Sequence, residues 1–598
     1  MQELKERSEI DAKYQWSLEA IFASDDAWDA ELDTVRKVIE QDPLEAIRGH
    51  LGDGPEVVLH YFEISKEISE RLGKLGIYAH TKNDQDTRVP MYQAMMSRMQ
   101  MVQAAYSEKE SFFEPELLSL PHDQLQAYVS DDSLSEYKHI LEDISRSKPH
   151  VLSPQAESLL ASLQEVFGAS HRAFSQLTNA DFVHGAFTVD DTEYTVTEGR
   201  LGLLLRNDNR EVRRLAFNHV YDTYLAHKNT ISALYATSVT KDISLARARG
   251  FETARQAALF ANNIPETVYD ALIEGVRNNI TFVHRYWELR RKRLNLDAIH
   301  MYDKYVPLVE AELDDYSFED AFDLVKKGLS ALGQDYGHTL QTALTERWID
   351  VFENPGKRSG AYSTGFYATR PYVLLNFQGD YNSVSTLAHE LGHSMHTYLS
   401  GENQPPQYSG YSIFLAEIAS TVNETLLVNH LLDVTNDPKM RAVLINQQLD
   451  SLTGTIYRQT MFAEFELLAH RKVEEGAALT HDSLCDMYST LNQFYHGSAY
   501  REDDRSPAEW SRIPHFYRPF YVFQYATGMS AALVFADRIR KEGANAAQKY
   551  FGFLKSGSKD YPLAVLQEAG LNMNDPQVIT QALSVYGDLV TELEQLLG

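Results

Sequence analysis

Residues 383–395 read Ser383-Val384-Ser385-Thr386-Leu387-Ala388-His389-Glu390-Leu391-Gly392-His393-Ser394-Met395. Val384, Leu387, Leu391 and Met395 recur at helical spacing, and Asn382 or Ser383 supplies a good N-cap. A long helix is therefore expected here. His389 and His393 are four apart, so both imidazoles fall on one face about a turn from each other. Two imidazoles so placed can share one ion, and zinc suits imidazole nitrogen. Glu390, between them, can reach a water at that ion without being a ligand itself. Gly392 is a poor helix residue and leaves room for a neighbouring backbone. His396 adds a third histidine near the same face and is read as a structural or pocket residue.

Upstream, residues 356–380 hold Gly356, Gly360, Gly365 and Pro371, followed by Tyr372-Val373-Leu374-Leu375-Asn376-Phe377. This reads as a glycine-rich loop feeding a single strand that precedes the helix. Downstream, Phe414 to Glu424 is a second helix, with Leu415, Ile418, Ala419 and Val422 as its apolar stripe. Glu417 borders that stripe, where a carboxylate is costly unless paired or metal-bound. Glu417 is assigned as the third metal ligand. Glu424, two turns on, is assigned to hold a ligand histidine in one tautomer. Spacing alone equally allows two solvated charges on a helix face.

The rest of the 598-residue chain is helical in pattern, with 43% hydrophobic residues and sparse Gly and Pro. A mostly α protein with a packed core follows. Leu72, Leu75, Ile77 and Tyr78 belong to one amphipathic segment; Leu159, Leu160, Leu163 and Val166 mark another. Residues 182–197 alternate differently, and Phe187-Thr188-Val189, Asp190-Asp191 and Tyr194-Thr195-Val196 suggest a short β-hairpin. A division near residue 200 separates an N-terminal helical module (1–200) from a catalytic body (201–598). The formal net charge of −30 repels phosphate and anionic lipid, which argues against nucleic-acid and membrane partners. Cys485 is the one cysteine, so neither an intramolecular disulfide nor a cysteine-based metal cluster is possible. The polar start, Met1 to Arg7, and the lack of transmembrane-length apolar runs make a reducing cytoplasm the expected setting.

His-Glu-Leu-Gly-His at 389–393, with Glu417 and then Glu424, resembles the thimet oligopeptidase-like metallopeptidases, and more closely the oligoendopeptidase F group. Three other stretches carry the likeness. Tyr14-Gln15-Trp16-Ser17-Leu18-Glu19-Ala20-Ile21-Phe22 is similar to the group's opening. Gly360-Ala361-Tyr362-Ser363-Thr364-Gly365 with Pro371 to Phe377 is similar to its loop and strand. Ile513-Pro514-His515-Phe516-Tyr517 and Phe520 to Gly528 are similar to its C-terminal signature. The likeness runs over nearly the whole chain. It implies a helical ellipsoid with a deep channel, one zinc per chain held by His389, His393 and Glu417, and oligopeptide substrates. It further implies that His515 and a tyrosine among Tyr517, Tyr521 and Tyr525 stabilise the tetrahedral intermediate. Pro519 interrupts this segment, so Tyr521 and Tyr525 are expected on one helix face, with His515 and Tyr517 on the entering loop.

The expected reaction is hydrolysis of internal bonds in short unstructured peptides, with water activated by Glu390. One rival is a metallo-carboxypeptidase, for which Arg370, Arg512 or Arg518 could capture a terminal carboxylate. The other is a peptide-binding protein with a dead site.

Overall fold

A computed structural model describes residues 4–309 and 315–598. The opening Met1, Gln2 and Glu3, read above as part of a polar start, lie outside them. The chain forms two compact units, each assembled from separate stretches. The first comprises Met1–Pro149, Leu313–Leu431 and Phe535–Gly570; the second comprises His150–Glu312, Leu432–Val534 and Leu571–Gly598. Both are built mainly of helices, and strands among the described residues form one sheet of two and one of three. Among the described residues no helix is long and apolar enough to cross a membrane.

In the first unit, the helices Asp25–Glu40, Pro55–Gln85 and Pro90–Glu110 bury an apolar face that includes Trp28, Leu72, Leu75 and Tyr78. Tyr372 and Leu374 join the same core, so the small sheet is seated on the N-terminal helices. That sheet has three strands where one was expected: β3 (Ile349–Asp350), β4 (Tyr362–Thr364) and β5 (Tyr372–Leu374), in the order β3-β5-β4. β5 is parallel to β3 and antiparallel to β4. The glycine-rich stretch thus contains a strand, β4, too short to stand out by alternation. Beyond Leu374 the backbone still pairs toward β3, with Leu375 N–H donating to the Asp350 carbonyl at 2.8 Å and Phe377 N–H to Val351 at 3.0 Å.

The motif helix spans Tyr381–Asn403 and the next helix Ile413–Val434. The cap of the first is Asp380, not Asn382 or Ser383: its carboxylate accepts from the Ser383 amide at 2.8 Å and hydroxyl at 2.6 Å. Asp380 follows Gly379, whose φ of 87° turns the chain into the helix.

In the second unit, β1 (Ala186–Val189) and β2 (Thr192–Thr195) form the expected hairpin, with Ala186 opposite Thr195 and Val189 opposite Thr192. Asp190 and Asp191 both take positive φ, 49° and 61°, as a two-residue turn of right-handed twist requires. One amphipathic reading fails here. The helix Pro154–Ser162 has no buried residue, and Leu159, Leu163 and Val166 are exposed. Periodicity marks a face that could be buried; tertiary packing decides whether it is.

Candidate metal centre

The motif helix and its successor cross at Gly392. A Cβ there would stand 2.5 Å from Ser420 Cα and 2.7 Å from the Ala419 carbonyl oxygen, so only glycine lets the two backbones meet. Asn423, fully buried, ties the crossing: its amide donates to the Ala388 carbonyl at 3.1 Å, and its carbonyl accepts from Tyr336 at 2.8 Å. The close approach brings the expected ligands together. His389 Nε2 and His393 Nε2 lie 3.2 Å apart, and Glu417 Oε2 lies 3.6 Å from the first and 3.8 Å from the second. Two imidazole nitrogens and one carboxylate oxygen converging on a common point form a donor set that fits a single divalent cation such as zinc. His396 is not part of this cluster. It is fully buried, stacked on Tyr411 with ring centroids 3.7 Å apart.

Both histidines are oriented from behind. His389 Nδ1 bonds to a Glu424 carboxylate oxygen. His393 bonds to the backbone of Ala416. Each therefore presents Nε2 to the convergence point. Burial disfavours a charged ring at His389, but Glu424, Glu390 and Glu417 outweigh it and lift its pKa to about 9. Burial, then the charge on His389, lowers His393 to about 3. Both rings must be neutral to ligate, so a cation bound there would displace the proton that Glu424 favours on His389.

Glu390 is buried, and its Oε2 has no hydrogen-bond partner. Burial raises its pKa to about 7, partly offset by the charge on His389 and by a bond from the Ser363 backbone amide. Ser363 belongs to β4, and its hydroxyl meets that of Ser394 on the motif helix at 2.8 Å. The sheet thus helps hold the Glu390 carboxylate. Sequence reasoning passed over Asn423, Ser420, Ser363 and Ser394. The signal for Asn423 was present: a polar side chain inside an apolar helical stripe.

His515, Tyr517, Tyr521 and Tyr525 belong to the second unit. His515 and Tyr517 sit in the 3-10 turn Pro514–Tyr517. The following helix begins only at Phe523, so Tyr521 precedes it and does not share a helical face with Tyr525. Between that 3-10 turn and the helix, Phe520 takes φ 51°, an unusual conformation for a bulky residue. The buried Glu466 fixes it by accepting the Phe520 amide at 2.7 Å. That geometry gathers three of the four aromatic groups: His515 lies 6.4 Å from Tyr521 and 6.1 Å from Tyr525, and the tyrosine rings are 5.4 Å apart. Tyr517 turns away into the core, stacked on Phe174 at 4.7 Å. Of the arginines considered above, Arg370 is paired with Glu346 at 2.9 Å and Arg512 with Glu198 at 2.8 Å. Arg518 lies over the Tyr521 ring at 3.9 Å.

The chain is similar to known proteins along its length. The profile of peptidase family M3 matches residues 203–585, and that of oligopeptidase F matches residues 116–183. The chain is 42% identical to oligopeptidase PepF of Bacillus subtilis, over all of this chain and 89% of that relative. It is 41% identical to group B oligopeptidase PepB of Streptococcus agalactiae, over 99% of this chain and 98% of the relative. Among solved structures, oligoendopeptidase-F from Enterococcus faecium is 35% identical, with a TM-score of 0.72 over 96% of this chain and 99% of its own. With a helical fold, a converged His-His-Glu donor set and similarity along its full length, this chain belongs to peptidase family M3, among the oligoendopeptidases F.

Proposed function

We propose that this peptidase is a zinc endopeptidase that cuts internal bonds of short unstructured peptides. The observation that carries the proposal is the convergence of His389 Nε2, His393 Nε2 and Glu417 Oε2 beside a buried Glu390 whose Oε2 has no partner. Those three groups would hold one zinc ion per chain, which when bound would supply Lewis acidity toward a carbonyl and toward water. Glu390 accepts the proton of the attacking water at Oε2 and returns it to the leaving amine. Glu424 keeps His389 in the tautomer that leaves Nε2 available. His515, with Tyr521 or Tyr525, donates hydrogen bonds to the developing oxyanion. Tyr517 was expected among these groups; its burial against Phe174 favours its two neighbours.

Backbone pairing of a substrate with Tyr372 to Leu374 does not fit β5, which has a strand on each side. β4 is the alternative. Val373 N–H donates toward β3, to the Trp348 carbonyl at 2.9 Å, so the facing pair Ser363–Val373 is not hydrogen-bonded across the sheet. The polar backbone of Ser363 therefore points away from β5. The Ser363 amide on that edge already donates to Glu390, so an extended peptide would meet the Ser363 carbonyl there, a backbone contact with little dependence on side chains. The substrate is thus an oligopeptide, and the setting a reducing cytoplasm in which Cys485 stays a thiol.

The test is chelation and readdition of zinc, followed by digestion of paired peptides with free and amidated C-termini. Activity should vanish without metal, return with zinc and ignore the amide. Full activity in metal-free protein would reject the mechanism, and activity confined to free C-termini would make the enzyme a carboxypeptidase. A chain that holds zinc yet cleaves nothing would be a binding protein.

A further inference from the structure

The second unit contains a cavity of about 120 Å³, lined by Trp287, Lys304, Tyr457, Arg458, Tyr495 and His496 among others. It is far larger than the roughly 10–15 Å³ that admits one water. The five-residue π turn Thr453–Tyr457 forms part of its wall, a distortion common at functional sites. None of this belongs to the groups assigned to peptide hydrolysis above.

The charges around the cavity do not balance. Arg458 is fully paired at one end, with Glu509 at 2.7 Å, yet its Nε has no partner. Arg290 is paired with Asp450 at 3.1 Å. Lys304 is left over. Only 7% of it is exposed, its ammonium has a thioether contact with Met301 at 3.9 Å, and it lies 5.8 Å from the Trp287 ring. Among the described residues no carboxylate stands within ion-pair distance of it. His496 contributes no charge, since burial and the lysine hold its pKa at about 3. Burial lowers the pKa of Lys304, as expected of an ammonium without a counter-ion, and Asp450, which also lines the cavity, is taken up by Arg290; an anion beside Lys304 would restore its charge next to the unused Arg458 donor. A buried ammonium without a counter-ion is costly, and a buried cation usually has one.

We propose that this cavity binds a small monovalent anion, a halide or a short carboxylate, held by Lys304 and Arg458. The anion restores charge balance and accepts the donors that the protein leaves unmatched. The cavity's largely apolar wall, with Val283, Trp287 and Met461, disfavours a polyhydroxylated anion such as gluconate, whose hydroxyls would lose their water partners, and a multivalent anion would reverse the imbalance.

The experiment uses the full chain. Thermal melting is compared in sodium chloride, sodium acetate and sodium gluconate at one ionic strength, for the native chain and for Lys304→Met. Crystals are soaked in sodium bromide or sodium acetate. The native chain should melt about 1–3 °C higher in chloride or acetate than in the bulky gluconate, with a saturable dependence. Lys304→Met should show no difference between salts, and bromide or acetate should occupy the cavity beside Lys304. A larger effect of acetate than of chloride identifies the carboxylate as the ligand class. Equal melting in all three salts overturns the proposal. So does an anion response that persists in Lys304→Met or, should that variant not fold, one without bromide or acetate density in the cavity.

Discussion

Glu390 Oε2 has no partner in the folded chain, while the same side chain is held by the Ser363 amide. A group so fixed and so poorly solvated is suited to taking a proton from water. Replacing it by glutamine keeps the shape and removes the basicity. Glu390→Gln should retain a full complement of zinc and lose about 10²–10⁴-fold in kcat. Elemental analysis beside steady-state kinetics checks both halves; loss of the metal would make Glu390 a ligand. Glu417 and Glu424 differ in a way that can also be measured. Glu417 Oε2 faces both ring nitrogens, whereas Glu424 touches only the far side of His389. Glu417→Gln should therefore weaken zinc binding more than Glu424→Gln, for which a loss of about 10–100-fold is expected. Competition with a chelator of known affinity ranks them, and the reverse order would exchange their roles.

At the scale of elements, the site depends on how closely two helices cross. The crossing is set by Gly392 against Ser420, and no side chain at 392 fits without moving a backbone. Gly392→Ala improves helix propensity by about 1 kcal/mol, yet the overpacking it introduces costs about 1–3 kcal/mol. The balance should be a lower melting temperature. Because Glu417 and Glu424 ride on the displaced helix, zinc affinity should fall as well. A variant with native melting and native zinc content would show that the crossing has slack. The sheet next to these helices illustrates a limit of sequence reading. Tyr372 to Phe377 stands out as apolar, but β3 has two residues and β4 three, too few for any alternation to register. They are strands only because β5 lies between them.

For the molecule as a whole, each unit buries a carboxylate against cations. Asp350, in the first, is bound by Arg7 at 2.5 Å and Lys357 at 2.7 Å. Glu509, in the second, is bound by Arg458 and by Tyr488 at 2.8 Å. Burial alone would raise both pKa values, but Lys357 and Arg7 lower that of Asp350, and Arg458 and Lys304 hold Glu509 at about 2. Both groups have native values below their unfolded ones, so the unfolded chain binds more protons and stability is lost as the pH is lowered. Their contribution is complete at neutral pH and is lost below about 3.8 for Asp350 and below about 4.5 for Glu509, for the latter progressively to about 2. Glu466 acts in the opposite direction. Burial raises its pKa, so its protonated form is favoured in the fold and stability is lost as pH climbs above about 4.5. Equilibrium unfolding in urea across pH 2–8, followed by tryptophan fluorescence, should show a steep acid limb. Asp350→Asn should flatten that limb and cost about 3–5 kcal/mol at pH 7, because it leaves buried cations unmatched. An unchanged acid limb would show that the pair is not coupled to folding.

The sequence by itself determined the helical class, the hairpin at 186–195 and the one-turn spacing that sets His389 and His393 side by side. Each depends on local rules: a period of 3.6, a period of 2, or a turn with two aspartates. It offered Glu417, beside an apolar stripe, and Glu424, two turns on, as candidates, with the family resemblance tipping a choice that spacing left even. Only the tertiary structure decided which groups meet. The 3.6 and 3.8 Å approaches of Glu417 depend on Gly392 lying against Ser420, and no local rule specifies that crossing. The outward face of Leu159, Leu163 and Val166 shows the same limit in reverse, since periodicity does not say whether a partner exists. The turn at Phe520 is the clearest case. Pro519 signals a break, but the direction of the chain beyond it is set by a carboxylate from Glu466, 54 residues away in sequence. Tyr517 packs into the core before that turn, and His515, Tyr521 and Tyr525 stand together around it.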